Sequence, residues 1–122
     1  MKEHSPLFRQ VHPTFVQSGR VTSQAFRPTP KDEQKLSVYD GELIDPEAAA
    51  KQYVEELGFK TAGVLCILVS ECTEQLLKVN PDPTPFQEHV LIDFSGHDRK
   101  RIETISKKLR DAAAARGWQY QA

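Results

Sequence analysis

The 122-residue chain has only two cysteines, no long apolar run and no excess of either charge, and each shortage excludes something. Cys66 and Cys72 are too few for a disulfide framework, and they lack the close spacing and partners of a zinc site. Cys66 lies in the most apolar run of the chain and reads as an inert buried thiol. Both thiols are expected free, in a reducing compartment. No apolar run approaches the ~18 residues of a membrane span, so no membrane partner is expected. Met1–Pro6 has no apolar h-region, so no signal peptide is expected and the expected location is the cytoplasm. The 16 Lys and Arg against 17 Asp and Glu give a formal net charge of -1, and nucleic acid is therefore not an expected partner.

Two further absences concern chemistry. Neither Ser23 nor Ser37 stands in a Gly-x-Ser-x-Gly context, and Cys72 follows Glu71, whose charge opposes a reactive thiolate. No histidine pair has helical i, i+4 spacing and no Cys/His pattern occurs, so neither a metal nor a cofactor is expected.

What is present reads as one α+β domain over residues 1–122, with 1–6 flexible; 39% hydrophobic and 27% charged residues suit a globular chain of this length. Strands are predicted at Leu7–Val11, Leu36–Tyr39, Ala62–Val69, Leu76–Val79 and Glu88–Phe94 from alternation or short β-branched runs. Asp45-Pro46-Glu47 is a helix start, and that helix should run over 46–57, with Ala50, Tyr53, Val54 and Leu57 on its inner face. Glu71–Gln75 can form one helical turn. A last helix over 98–116 carries Ile102, Ile105, Leu109 and Ala112 as its stripe and stops at Gly117, beyond which Trp118 and Tyr120 fold back on the scaffold. The expected architecture is a single mixed sheet of four or five strands with these two main helices packed on it. A sheet so sparsely covered leaves an apolar face for a partner or a second copy, which makes a homodimer one expectation.

The side chains that packing leaves unexplained concentrate between Gly19 and Gly41. Arg9, Arg20 and Arg27, with Lys31, bracket this stretch, and a guanidinium suits phosphate or carboxylate oxygens. Ser23 and Phe26 can present a hydroxyl and an aromatic wall to one ligand, or Phe26 can simply pin a solvated loop. Pro28 and Pro30 should hold Phe26-Arg27 extended. Ser37 and Tyr39, on the strand that follows, complete the candidate ligand set. For proton transfer the candidates are His12 and His89, the latter with Glu88 or Asp93 nearby, and Ser23 can orient a ligand. The alternative for His89 is a strand histidine satisfied by a backbone carbonyl; for His12 it is a turn residue. His97 reads as part of a helix cap. The basic residues of the last helix are interleaved with acids and read as a solvated face.

The run Gly19–Gly41 with His89–Phe94 resembles small bacterial proteins of unknown activity, and nothing functional follows from that. Phe8-Arg9, then Thr22-Ser23-Gln24-Ala25-Phe26, then Glu88 is similar to the arginine, serine–aromatic and acidic elements of ADP-ribosyltransferase-like enzymes. Two functions are therefore carried forward. One is a small cytosolic binding module whose polar stretch 19–41 grips a protein partner or an anionic ligand. The other is a small enzyme for a nucleotide or phosphorylated substrate, the ADP-ribosyltransferase-like case included. It requires Arg9, Ser23, Ser37 or Tyr39 and a histidine to share one pocket. The sequence leaves open whether the protein is an enzyme.

Overall fold

The computed structural model describes residues 1–29 and 33–122, so the expectations for Pro30 and Lys31 lie outside the described residues. In chain order the elements are β1 (Pro6–Val11), β2 (Val16–Gln17), β3 (Arg20–Val21), β4 (Lys35–Asp40), α1 (Pro46–Glu55), β5 (Gly63–Leu68), α2 (Val69–Thr73), β6 (Lys78–Pro81), β7 (His89–Asp93), α3 (Arg99–Arg116) and β8 (Tyr120–Gln121). Single 3₁₀ turns lie at Pro13–Phe15 and Ser23–Phe26.

The α+β class is as read from the sequence, but the sheet has six strands, in the order β6-β7-β4-β1-β5-β8, and every adjacent pair is antiparallel. The mixed sheet of four or five strands is corrected on both points. β4 and β5, joined by α1, do run parallel, but β1 lies between them and is antiparallel to each. The sixth strand is the two-residue β8, which pairs Tyr120 with Val64; a segment so short carries no periodicity to read. β2 and β3 form a separate hairpin, whose turn residues Ser18 and Gly19 both have positive φ.

Alternation along each strand builds two cores. Leu7 and Val11, Leu36 and Val38, Leu65 and Ile67, and Val90, Ile92 and Phe94 face α3, which packs Ile102, Ile105, Leu109 and Ala113 onto them. Phe8, Tyr39, Val64 and Cys66 face α1, whose buried stripe is Ala49 and Ala50 with Tyr53 beside them. Val54, expected on that inner face, is instead 46% exposed, because the inner stripe is centred on Ala49, Ala50 and Tyr53 and Val54 lies about a quarter turn beyond it. Each face thus carries one long helix, and the short α2 adds Cys72 to the core under α3. The part of the α1 face that α1 does not reach presents Lys35, Ser37, Lys78, Asn80 and Asp93 with Leu91, which is a polar surface.

The polar stretch 19–41 is woven into the first core. Ala25 and Phe26 are fully buried, and the Ser106 hydroxyl on α3 donates to the Phe26 carbonyl at 3.1 Å. Phe26 was expected to be extended, but it closes a 3₁₀ turn, and only Arg27, with φ of -99° and ψ of 127°, is extended. Packing drives the turn: burying a phenylalanine side chain is worth about 3–5 kcal/mol against alanine, more than a local backbone preference.

The two ends of the chain are fastened to the middle. Glu3 and Ser5, in the segment expected to be flexible, accept backbone hydrogen bonds from Ser70 and Val69. Arg116, in the last turn of α3, donates to both oxygens of Glu71 at 3.1 and 2.8 Å and to the Cys66 carbonyl at 2.8 Å. Burial alone pushes the Glu71 carboxyl up, but hydrogen bonds from Arg116 and the Leu68 N–H outweigh it and hold the carboxyl below the usual range. A carboxylate held low in the folded state adds stability above its unfolded pKa, and that contribution is lost as pH falls through the folded one. Glu71→Gln should therefore lower stability near neutral pH and flatten its fall in acid, as measured by chemical denaturation at several pH values. At β8, a side chain on Gly63 would sit 2.5 Å from the Tyr120 carbonyl and 2.8 Å from the Trp118 ring. Gly63→Ala should expel the last residues from the sheet, with a lower unfolding temperature and a red-shifted Trp118 emission.

Candidate functional site

β1 stays paired with β5 along its full length, from Pro6↔Leu68 to Val11↔Gly63. With β4 it pairs only at Leu7↔Asp40 and Phe8↔Tyr39, while β4 keeps its partner β7 from Tyr39↔His89 to Lys35↔Asp93. The sheet therefore forks after Phe8. Arg9 stands in the fork, where its Nε–H donates to the Ala25 carbonyl at 2.7 Å and its Nη1 to the Ser37 carbonyl at 3.0 Å. Those two bonds occupy backbone acceptors that a continued β1–β4 ladder would not have needed to share.

On the α1 face the fork opens into a cavity of about 340 Å³. Gln10, Ser37, Tyr39 and His89 supply its polar groups, and Tyr53, Phe59 and Phe86 are its aromatic walls. Continuing the Phe8↔Tyr39 register sets Gln10 across the fork from Ser37. Tyr39 stacks on Phe86 with ring centres 4.6 Å apart, and Tyr53 tilts against Phe59 at 5.1 Å.

The polar groups fall into two kinds. His89, 6% exposed, is fully bonded: Nδ1 lies 2.9 Å from the Asp82 carbonyl and 3.0 Å from that of Thr84, and Nε2 lies 3.0 Å from the Ser37 hydroxyl. The nearby carboxylate is that of Asp82, with Oδ2 3.5 Å from Nδ1, and not Glu88 or Asp93. Gln10 is the opposite case. It is 4% exposed, and neither its amide nitrogen nor its amide oxygen has a hydrogen-bond partner among the described residues. The Tyr39 hydroxyl, in a side chain 2% exposed, is likewise unpartnered. Burial above all, then Tyr53, Glu88 and Glu56, pushes the Tyr39 phenol far up, so it remains a donor at any ordinary pH.

Of the residues singled out in the sequence, Arg9, Ser37, Tyr39 and His89 share this cavity. The others are dispersed. Arg20 borders a hollow with Arg110 and Trp118, and Arg27 lines another with His97 and Arg99. Phe26 is core and offers no wall to a ligand. Ser23 opens the 3₁₀ turn that carries Ala25 and Phe26 into the first core, and it does not line the fork cavity. His12 takes a capping role, with Nδ1 accepting from the Thr14 N–H at 3.1 Å. His97 bonds the Leu76 carbonyl, and Asp98 rather than His97 caps α3. Glu88 is likewise outside the lining, so the arginine, serine and glutamate of the ADP-ribosyltransferase-like pattern do not share the pocket. Gln10 was missed, because a single glutamine in an alternating strand gives no sign of being buried. Phe59 and Phe86 were missed because both stand in loops.

Among the described residues no group of three His, Cys, Asp or Glu side chains is placed to hold a metal ion, and no helix is long and apolar enough to cross a membrane. The chain matches no protein-family model, no curated protein and no solved structure.

Neither cysteine belongs to the site. Burial raises the Cys66 thiol and pushes that of Cys72 up to about 12, with Glu71 adding to the effect at both. Neither should react with a disulfide reagent at pH 8 while the protein is folded, and both should react once it is unfolded in guanidinium. Rapid labelling of either in the native protein would contradict the burial described.

Proposed function

We propose that the protein is a binding module and that its ligand site is the cavity at the β1–β4 fork. The observation that carries this reading is the buried, unpartnered amide of Gln10. Leaving a buried donor or acceptor unsatisfied costs about 1–3 kcal/mol, so a group of this kind calls for a partner that arrives from outside. The amide atoms are closed to water in the free protein, so a ligand meets them as the Gln10 side chain turns toward the cavity. The cavity suits a small, flat, largely apolar molecule with a carbonyl- or amide-like edge. Its rings would lie against Phe59 and Phe86, and its polar edge would meet the donor–acceptor pair of Gln10 and the hydroxyl of Tyr39. Glu56 and Glu88, whose charges act on Tyr39, disfavour an anion at the Tyr39 end of the cavity, and Arg9, which also lines it, gives its Nε and Nη1 to the Ala25 and Ser37 carbonyls. The ligand in this cavity is therefore neutral, which narrows the anionic expectation for this part of the stretch 19–41.

A second reading keeps the anion, at a different place. Among the described residues the Nε of Arg27 is buried without a partner, beside a hollow of about 390 Å³ that Arg99, His97 and Glu103 also line. A phosphate or a phosphorylated side chain of a partner protein would suit those groups.

Replacing Gln10 separates the function of its amide from its effect on stability. Gln10→Leu should raise the stability of the free protein by about 1–2 kcal/mol, because it removes an unpaired buried amide. It should also abolish the thermal shift produced by a hit from a panel of small neutral aryl amides and esters. For the wild type, a ligand at 100 times its dissociation constant adds about 2.7 kcal/mol. Inorganic phosphate in the same panel tests the second reading, in which Arg27→Gln and not Gln10→Leu removes the shift.

A further inference from the structure

We propose that Ser37 is a nucleophile and His89 its general base, so that the fork cavity hydrolyses a small neutral carboxylic ester. The inference rests on that cavity being the ligand site and adds a reaction to it.

The hydrogen bonds around His89 settle which nitrogen carries the proton. Nδ1 is within 3.0 Å of two backbone carbonyl oxygens, those of Asp82 and Thr84, and a carbonyl can only accept. The proton is therefore on Nδ1. Nε2 keeps its lone pair toward Ser37, and the Ser37 hydroxyl is the donor in their 3.0 Å bond. That is the polarity a serine–histidine pair needs for proton abstraction. The Asp82 carboxylate, 3.5 Å from Nδ1, is placed to stabilise the imidazolium once the proton has moved. Ser37 is exposed at the cavity, whereas its base is buried and packed against Phe86 at 5.0 Å.

Two other bonded hydroxyls, those of Thr14 and Ser106, lack this combination. Thr14 bonds His12, but there the ring nitrogen already serves as a cap, and neither residue lines the fork cavity. Ser106 is fully buried and spends its hydroxyl on the Phe26 and Ile102 carbonyls. Around Ser37, by contrast, two donors that line the same cavity, the Gln10 amide and the Tyr39 hydroxyl, have no partner among the described residues. An oxyanion formed at a carbonyl carbon bonded to Ser37 needs such donors.

In the step proposed, Ser37 Oγ bonds to the ester carbonyl carbon while its proton passes to His89 Nε2. The carbonyl electron pair moves to oxygen, toward the Gln10 amide N–H, and its charge is balanced by the imidazolium formed on His89. Collapse of the oxyanion breaks the bond to the leaving alcohol, which takes the proton from Nε2. Water then attacks the acyl carbon, gives a proton to Nε2, and Ser37 leaves with that proton. One ester and one water become one acid and one alcohol.

The test uses the full chain with an aryl fluorophosphonate, followed by intact mass and peptide mapping, and with p-nitrophenyl butyrate followed by release of nitrophenolate. The expected result is a single adduct on Ser37, absent in Ser37→Ala, with labelling and turnover about 100-fold slower in His89→Gln. No adduct on Ser37, or equal rates in a folded His89→Gln, would overturn the proposal. If His89→Gln does not fold, Ser37→Cys replaces it. Its new thiol should be alkylated by iodoacetamide at pH 7 at least about 10-fold faster than that of a Ser95→Cys control, since a base beside a thiol raises its thiolate fraction. Equal rates overturn the proposal. Ligand-induced thermal shifts without reaction at Ser37 remove the hydrolase and leave the binding site standing. Reaction at Ser37 without any shift removes the binding panel's reading and leaves the nucleophile.

Discussion

The constraint on which the rest of this structure depends is the parting of β1 from β4. β1 is the strand that both halves of the sheet share, and its side chains contribute to both cores through Leu7 and Val11 on one face and Phe8 on the other. When its ladder with β4 stops after Phe8, backbone acceptors on β4 and on the preceding turn are left facing inward. Arg9 satisfies two of them, at Ala25 and Ser37. A planar guanidinium can reach two carbonyls in different directions at once, which a lysine ammonium on a flexible stem does far less rigidly. The fork is thus held open by hydrogen bonds instead of being left as a defect.

Everything in the candidate site follows from that opening. Gln10 would be an ordinary strand residue beside a continuous β4. At the fork it becomes a buried amide with no partner. Ser37, on the diverging strand, is exposed to the cavity, while its neighbour Tyr39 is still inside the ladder and buried. The loop before β7 brings the Asp82 and Thr84 carbonyls onto His89, which fixes the ring and its tautomer before any ligand arrives. An arrangement organised in advance in this way costs no reordering when a ligand binds.

The stretch 19–41 shows how a sound local reading can misplace a function. Its polarity and prolines mark it as ordered for a reason, and it is ordered. The reason for much of it is packing, because Ala25 and Phe26 plug the first core against α3 and Ser106 bonds the turn there. The arginines at either end go to separate hollows, with Arg20 beside Trp118 and Arg27 beside Arg99. Only the strand end of the stretch, Ser37 and Tyr39, joins Arg9 and His89 in a single cavity.

The residues that the sequence could place by itself are those governed by local rules. Asp45-Pro46 and Gly117 bound α1 and α3 as caps do, and the apolar run within Ala62–Val69 is the strand β5 because β-branched runs of that length bury on both faces. The alternation of His89, Leu91 and Asp93 against Val90, Ile92 and Phe94 was equally plain, since a pleated strand has a period of two. Tertiary structure alone decided that β1 enters between β4 and β5, that Tyr120 adds a sixth strand, and that Gln10 and Ser37 line one cavity at a fork. Strand order and the end of a ladder are set by contacts between residues far apart in the chain. Neither leaves a periodic trace in the residues themselves, and so the hydrogen bond between Ser37 and His89, 52 positions apart, exists only once the sheet is assembled.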